Sequence, residues 1–175
     1  GTQRMQQRPI RILVDALRSI GASIEYVNNE GYPPLRISGK LLRGGSISLP
    51  GDVSSQYISA LLMIAPTLPQ GLQLELTGNI ISFPYINLTL QLMKKFGVED
   101  IQFNGNTITV KPGQYQDVAF LVENDWSAAS YWYQMLALQQ CANKDYTIKQ
   151  DTAQEYIELL GLFPNSYQGD SRGAQ

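Results

Sequence analysis

The stretch Arg8-Pro9-Ile10-Arg11-Ile12-Leu13-Val14-Asp15-Ala16-Leu17, followed by Gly21, decides the fold because the chain repeats it. Ile10, Leu13, Val14, Leu17 and Ile20 fall at i, i+3, i+4, i+7 and i+10, the spacing of one apolar helix face. Pro9 suits the first helical turn and Gly21 the C-terminal cap. Two strand-like runs follow, residues 23–27 and 34–38, around the turn Asn28-Asn29-Glu30-Gly31. Roughly 75 residues on, the pattern returns. Phe83-Pro84-Tyr85-Ile86-Asn87-Leu88 leads through Leu92 to Gly97, and runs at 100–103 and 107–110 flank Asn104-Gly105-Asn106, a strong hairpin signal.

A second block recurs in the same way. Residues 45–49 read as a strand, after which Gly51-Asp52-Val53-Ser54-Ser55-Gln56 opens an apolar helix that stops at Pro66. Its counterpart is a strand at 118–122, after which Asn124-Asp125-Trp126-Ser127 opens another. Ile58, Leu61, Leu62, Met63 and Ile64 lie on nearly every side of the first of these helices, which predicts a largely buried element. Each period therefore holds helix, hairpin, strand, helix and strand. That alternation predicts an α/β fold with helices covering sheets.

Composition narrows the chemistry. The 175 residues are 43% hydrophobic and 16% charged, and 13 basic residues against 15 acidic ones give a net charge of −2. That balance gives no global attraction to nucleic acid or an anionic membrane. The first 43 residues hold seven basic and three acidic side chains, but without interleaved aromatic residues for base stacking. The chain has no histidine, which removes Ser-His-Asp and Cys-His nucleophiles and histidine-ligated metal. Cys141 is the one cysteine, so no intrachain disulfide can form, and its place late in an apolar helix predicts a buried structural thiol. Neither a metal nor a cofactor is expected. A reducing, cytoplasmic setting is. The longest apolar run, 58–65, contains Ser59 and falls far short of the ~20 residues of a membrane span. The ends, Gly1-Thr2 and Ser171-Arg172-Gly173-Ala174-Gln175, read as those of a piece of a longer protein.

Stacked copies of one unit gather their helix N-termini at one end, where unpaired N–H groups and a partial positive charge suit an anion. The residues at those starts are Arg8, then Ser54, Ser55 and Gln56, then Ser82 and Tyr85. Together they could grip a substrate carrying phosphate, carboxylate and hydroxyl groups. Each also has a plainer reading: serine as an N-cap worth ~1 kcal/mol, arginine as a solvated charge, tyrosine as a packing residue.

Several stretches resemble the enolpyruvyl transferase family of the shikimate pathway. They are Arg4-Met5-Gln6-Gln7-Arg8-Pro9-Ile10, Tyr32-Pro33-Pro34-Leu35-Arg36, Asp52-Val53-Ser54-Ser55-Gln56-Tyr57-Ile58-Ser59-Ala60-Leu61-Leu62-Met63 and Ser82-Phe83-Pro84-Tyr85-Ile86. Glu123-Asn124-Asp125-Trp126-Ser127-Ala128-Ala129-Ser130-Tyr131 follows, with a fainter echo at Ser166-Tyr167-Gln168-Gly169-Asp170. The resemblance implies repeated βαβαββ units of an inside-out α/β barrel, here incomplete. About two units would form a partial substrate-binding lobe over 1–123, with the crossover and the start of a second lobe over 124–175.

The same resemblance implies residue roles. Arg8 matches an arginine that binds phosphoenolpyruvate; Ser54, Ser55 and Ser82 match serines that hold the 3-phosphate of shikimate 3-phosphate. Gln56 matches a glutamine between the two substrates, and Tyr85 a tyrosine against the shikimate ring. Phe83 stands where relatives carry lysine. Glu123 and Asp125, at the expected lobe junction, are candidate cleft-lining residues. The implied reaction moves the enolpyruvyl group of phosphoenolpyruvate to the 5-hydroxyl of shikimate 3-phosphate and releases phosphate. The family's acid and base residues are expected outside these residues, so no catalytic residue is assigned and the chain alone is expected to be inactive. Uncovered apolar faces predict self-association, as a dimer or a swapped assembly. Two alternatives stand beside this reading: a UDP-N-acetylglucosamine enolpyruvyl transferase-like enzyme, and a non-catalytic α/β repeat binding module.

Overall fold

The structure, a computed structural model, describes residues 2–142 and 166–168. Expectations for 143–165 and 169–175, Gly169 and Asp170 of the fainter echo among them, lie outside the described residues, as does the burial of Cys141. The chain divides into two compact units, Gly1–Asp117 and Val118–Gln175.

The first unit opens with a single turn, α1 (Gln3–Gln6), then α2 (Arg11–Ser19) and a hairpin of β1 (Ser23–Tyr26) and β2 (Leu35–Ser38). Next come β3 (Gly45–Pro50), α3 (Ser55–Ile64), a 3-10 turn at Ala65–Thr67, β4 (Leu72–Thr77), α4 (Phe83–Lys95), β5 (Ile101–Asn104) and β6 (Thr107–Val110). The four later strands form one sheet in the order β3-β4-β6-β5. β3 and β4 are parallel, because α3 crosses between them; the other pairs are antiparallel. The elements from β3 to β6 thus make one complete βαβαββ unit, preceded by the αββ end of another.

Period-two burial places this sheet. Leu72, Leu74 and Leu76 of β4 are buried while Gln73, Glu75 and Thr77 face out, and Ile47 and Leu49 do the same in β3. Ile58, Leu61 and Leu62 of α3 and Ile86, Leu90 and Met93 of α4 close over that apolar face. Each such side chain contributes about 1.5–3 kcal/mol on burial.

Three local expectations are corrected. The first helix starts at Arg11, not at Pro9. Ile10 occupies the N-cap with φ −130° and its N–H donates to the Gly31 carbonyl, so Arg8 and Pro9 lie in the preceding turn. Residues 118–122 form no strand; Leu121 and Val122 are exposed, and no described residue offers their backbone a ladder partner. In α3 the expected burial holds for Ile58, Leu61 and Leu62, but Met63 is exposed, lining an open groove with Thr89, Leu92 and Met93 of α4.

After β6, the chain returns along the C-terminal ends of α3 and α4. The Tyr115 hydroxyl donates to the Met63 carbonyl at 2.8 Å, and burial raises its pKa above the usual 10.0. A raised tyrosine pKa means stability that is complete below pH 10 and is lost as pH climbs through the folded value. Tyr115→Phe is therefore expected to cost about 0.5–1 kcal/mol at neutral pH and to flatten the alkaline fall. Part of that fall should survive in the variant, because burial raises Tyr26 as well. Urea unfolding at pH 8 and above pH 10 checks both statements.

In the second unit, α5 (Trp126–Ala142) follows a loop, with Trp126 and Ala129 buried against Tyr133. No described helix is long and apolar enough to cross a membrane.

Candidate functional site

Parallel β3 and β4 end side by side, with Pro50 opposite Thr77, and each leads directly into a helix. The two connecting loops are bonded to each other. Gly51 N–H donates to the Thr77 carbonyl at 2.7 Å, and Ile81 N–H to the Gly51 carbonyl at 3.3 Å. A Cβ at Gly51 would meet the Asn79 carbonyl oxygen at 2.8 Å, so only glycine permits this approach. Ser54, at the N-cap of α3, and Ser82, at the N-cap of α4, are thereby held at one edge of the sheet.

The start of α2 joins them. The Tyr57 hydroxyl, in the first turn of α3, donates to the Pro9 carbonyl at 2.7 Å, which sets the Arg8-Pro9 turn against α3. At the far end, Arg43 N–H bonds the Ile20 carbonyl and Gln70 N–H bonds the Arg43 carbonyl, bringing together the ends of α2 and α3. Gly113 N–H on the Pro66 carbonyl and Gln116 N–H on the Phe96 carbonyl do the same for α3 and α4. Three helices therefore run in one direction, and their N-termini share one end of the unit.

That end is disposed toward anions. The first turns of α2, α3 and α4 carry no acidic residue. Neither Ser54 nor Ser82 caps its own helix through its side chain, which leaves both hydroxyls for a ligand. The first N–H groups of α3, on Ser55 and Gln56, precede the helical ladder, whereas Pro84 deletes one such donor from α4. The α2 start contributes differently: the N-cap Ile10 N–H is committed to the Gly31 carbonyl, and Arg8 in the preceding turn adds a charged side chain. Arg8 is exposed and, among the described residues, in no ion pair, while Arg11, Arg18 and Arg36 are each held by a carboxylate.

Among the sequence candidates, the structure gathers Arg8, Ser54, Ser55, Gln56, Ser82 and Tyr85 at this end. Ser55 and Ser82 are half-buried; Gln56 and Tyr85 are exposed. Phe83 stacks on Phe103 at 5.7 Å between ring centroids, so an aromatic contact holds this position beside Ser82. Glu123 and Asp125 belong to the second unit and have local work there. The Asp125 carboxylate accepts from Ser127 N–H at 2.8 Å as a helix cap, and Glu123 accepts from Tyr167 N–H at 3.1 Å. Among the described residues no cluster of three or more His, Cys, Asp or Glu side chains could hold a metal ion.

Residues 1–158 match the family model of EPSP synthase (3-phosphoshikimate 1-carboxyvinyltransferase). The chain belongs to the EPSP synthase family. A curated relative, the 3-phosphoshikimate 1-carboxyvinyltransferase of Bacteroides fragilis strain YCH46, is 61% identical over the whole chain and extends well beyond it, the match covering 40% of its length. The enzyme of that name from Sulfurovum sp. strain NBC37-1 is 44% identical over 97% of the chain and 37% of its own length. The chain thus spans about 40% of these EPSP synthase relatives. A solved EPSP synthase from Acinetobacter baumannii superposes with a TM-score of 0.60 at 24% identity, over 75% of this chain and 28% of its own. This likeness is one of fold, and it bears out the α/β architecture expected from the repeat and the incompleteness implied by the family resemblance.

Proposed function

We propose that this chain supplies the shikimate 3-phosphate seat, and the arginine that meets phosphoenolpyruvate, in a 3-phosphoshikimate 1-carboxyvinyltransferase. The observation that carries the reading is the convergence of three helix starts whose polar side chains, Arg8, Ser54 and Ser82, are not engaged by their own helices. The serine hydroxyls and the N–H groups of α3 would surround the 3-phosphate, each favourable helix-end contact adding about 0.3–1 kcal/mol. Arg8 presents a permanently charged planar fork, suited to the carboxylate and phosphate of phosphoenolpyruvate. Gln56 would lie between the substrates and Tyr85 against the shikimate ring.

In the reaction so assigned, the 5-hydroxyl of shikimate 3-phosphate attacks C2 of phosphoenolpyruvate while C3 gains a proton. The hydroxyl proton passes to the base. Phosphate then leaves the tetrahedral intermediate as C3 gives up a proton, which restores the C=C bond of the enolpyruvyl ether. Neutralising anions and aligning two substrates are tasks for this chain. The acid and base are assigned to the remainder of the enzyme, so the chain alone should turn over no substrate. Membership of the EPSP synthase family favours this reading over a UDP-sugar transferase. A calorimetric titration with shikimate 3-phosphate separates it from a non-catalytic module. Saturable heat, lost in a Ser54→Ala, Ser82→Ala double variant, is expected. No heat at millimolar ligand, or measurable turnover by the purified chain, would count against it.

A further inference from the structure

We propose that Tyr57, Ser59 and Thr89 are positioning residues, a brace of hydroxyls through which α3 fixes the starts of the helices on either side. The proposal rests on reading those starts as the substrate seat. Tyr57 and Ser59 are two residues apart on α3 and so point to opposite flanks. On one flank the Tyr57 hydroxyl takes the Pro9 carbonyl at 2.7 Å. Pro9 has no N–H, and Ile10 N–H is committed to Gly31. The carbonyl next to Arg8 is therefore the point at which the arginine's backbone is tied to α3.

On the other flank Ser59 Oγ lies 2.8 Å from Thr89 Oγ1, which in turn lies 3.1 Å from the Tyr85 carbonyl. Stoichiometry sets the direction. Thr89 has one hydroxyl proton, and the carbonyl can only accept, so that proton goes to Tyr85 and Ser59 must donate to Thr89. The relay runs from the middle of α3 to the first turn of α4, the turn that carries Tyr85 and follows Ser82. A phosphate seat built from two helix starts works only while their separation holds to about 0.5 Å, and α3 sets that separation on both sides. The brace explains why hydroxyl side chains face polar partners along helices whose other contacts are apolar.

The test uses the 175-residue chain with Tyr57→Phe, Thr89→Val and Thr89→Ser. In the free protein, backbone ¹⁵N relaxation should show residues 7–10 loosened by Tyr57→Phe and residues 83–86 loosened by Thr89→Val, with Thr89→Ser like the parent. In titrations, Tyr57→Phe should weaken phosphoenolpyruvate, added at saturating shikimate 3-phosphate, about three- to tenfold and leave shikimate 3-phosphate itself unchanged. Thr89→Val should weaken shikimate 3-phosphate by a similar factor, and Thr89→Ser should restore it. Unchanged relaxation in both variants overturns the brace, as does equal weakening of both ligands by both variants. Failure of the parent chain to bind either ligand strikes instead at the substrate-seat reading, and relaxation then decides the brace alone.

Discussion

Gly71→Ala is expected to destabilise the first unit by at least about 3 kcal/mol, enough to shift its urea midpoint far below that of the parent. Gly71 sits at φ +62°, where an L side chain already costs roughly 1–2 kcal/mol. The larger part comes from position. A Cβ there would strike the Val110 carbonyl oxygen and approach Lys111 Cα and Pro112 Cδ at 3.1 Å. Backbone cannot rotate aside as a side chain can, so β4 and the end of β6 must separate. Gly71 also accepts from Gly45 N–H at 3.1 Å and donates to the Leu68 carbonyl at 2.9 Å, so moving it disturbs the start of β3 and the end of α3 together. Gly44 is built into the same knot, because its Cβ would strike the Gly71 carbonyl oxygen. Gly105 is the control. Its φ is +57° but open space surrounds it, so Gly105→Ala should show only the conformational term, about 1 kcal/mol. Equal midpoints for the Gly71 and Gly105 variants would contradict the packing argument.

The contrast between those glycines also separates what could be read from the chain from what could not. Asn104-Gly105-Asn106 announces its hairpin locally, and β5 and β6 pair about it, with Asn104 drawn into the ladder opposite Thr107 so that the turn narrows to Gly105-Asn106. The α4 helix is equally local: apolar spacing fixes its face, and Pro84 sits in its first turn. Residues 118–122 carry the same kind of local signal, yet form no strand among the described residues, because a ladder needs a neighbour that no strand can encode in itself. The start of α2 was displaced for a related reason. Ile10 is satisfied by Gly31, a residue of the hairpin turn, and that long-range bond moves the cap past Pro9. For the proposed site, short motifs carry Ser54, Ser55, Gln56 and Ser82, which makes them candidates from the sequence. Tyr57 lay within the same quoted motif but gave no sign of its role, since its partner Pro9 is brought to it only by folding. Asp125, a candidate cleft carboxylate, also accepts from Ser127 N–H at the start of its own helix, a local bond that its place in the sequence motif did not announce.

Arg8→Glu should weaken phosphoenolpyruvate binding, measured at saturating shikimate 3-phosphate, by at least about a hundredfold without changing the urea midpoint. A charge-assisted hydrogen bond contributes about 1.5–3 kcal/mol, and each 1.4 kcal/mol is a factor of ten. Reversing the charge removes the bonds and adds repulsion from a ligand that bears both carboxylate and phosphate. Stability should be indifferent, because Arg8 is exposed, lies outside α2 and has no ion-pair partner among the described residues. Arg8→Lys is the informative companion. It keeps the charge and loses the planar fork, so a loss near tenfold would assign the contact to bidentate geometry, and none would assign it to charge alone. Shikimate 3-phosphate should bind Arg8→Glu nearly as it binds the parent, since Ser54, Ser55 and Ser82 belong to α3 and α4. Raising the salt should weaken phosphoenolpyruvate more in the parent than in Arg8→Glu, because the variant lacks the Arg8 attraction and carries a repulsion that salt also screens. If Arg8→Glu binds phosphoenolpyruvate like the parent, the arginine is a solvated surface charge and the two-substrate reading of this end of the molecule fails.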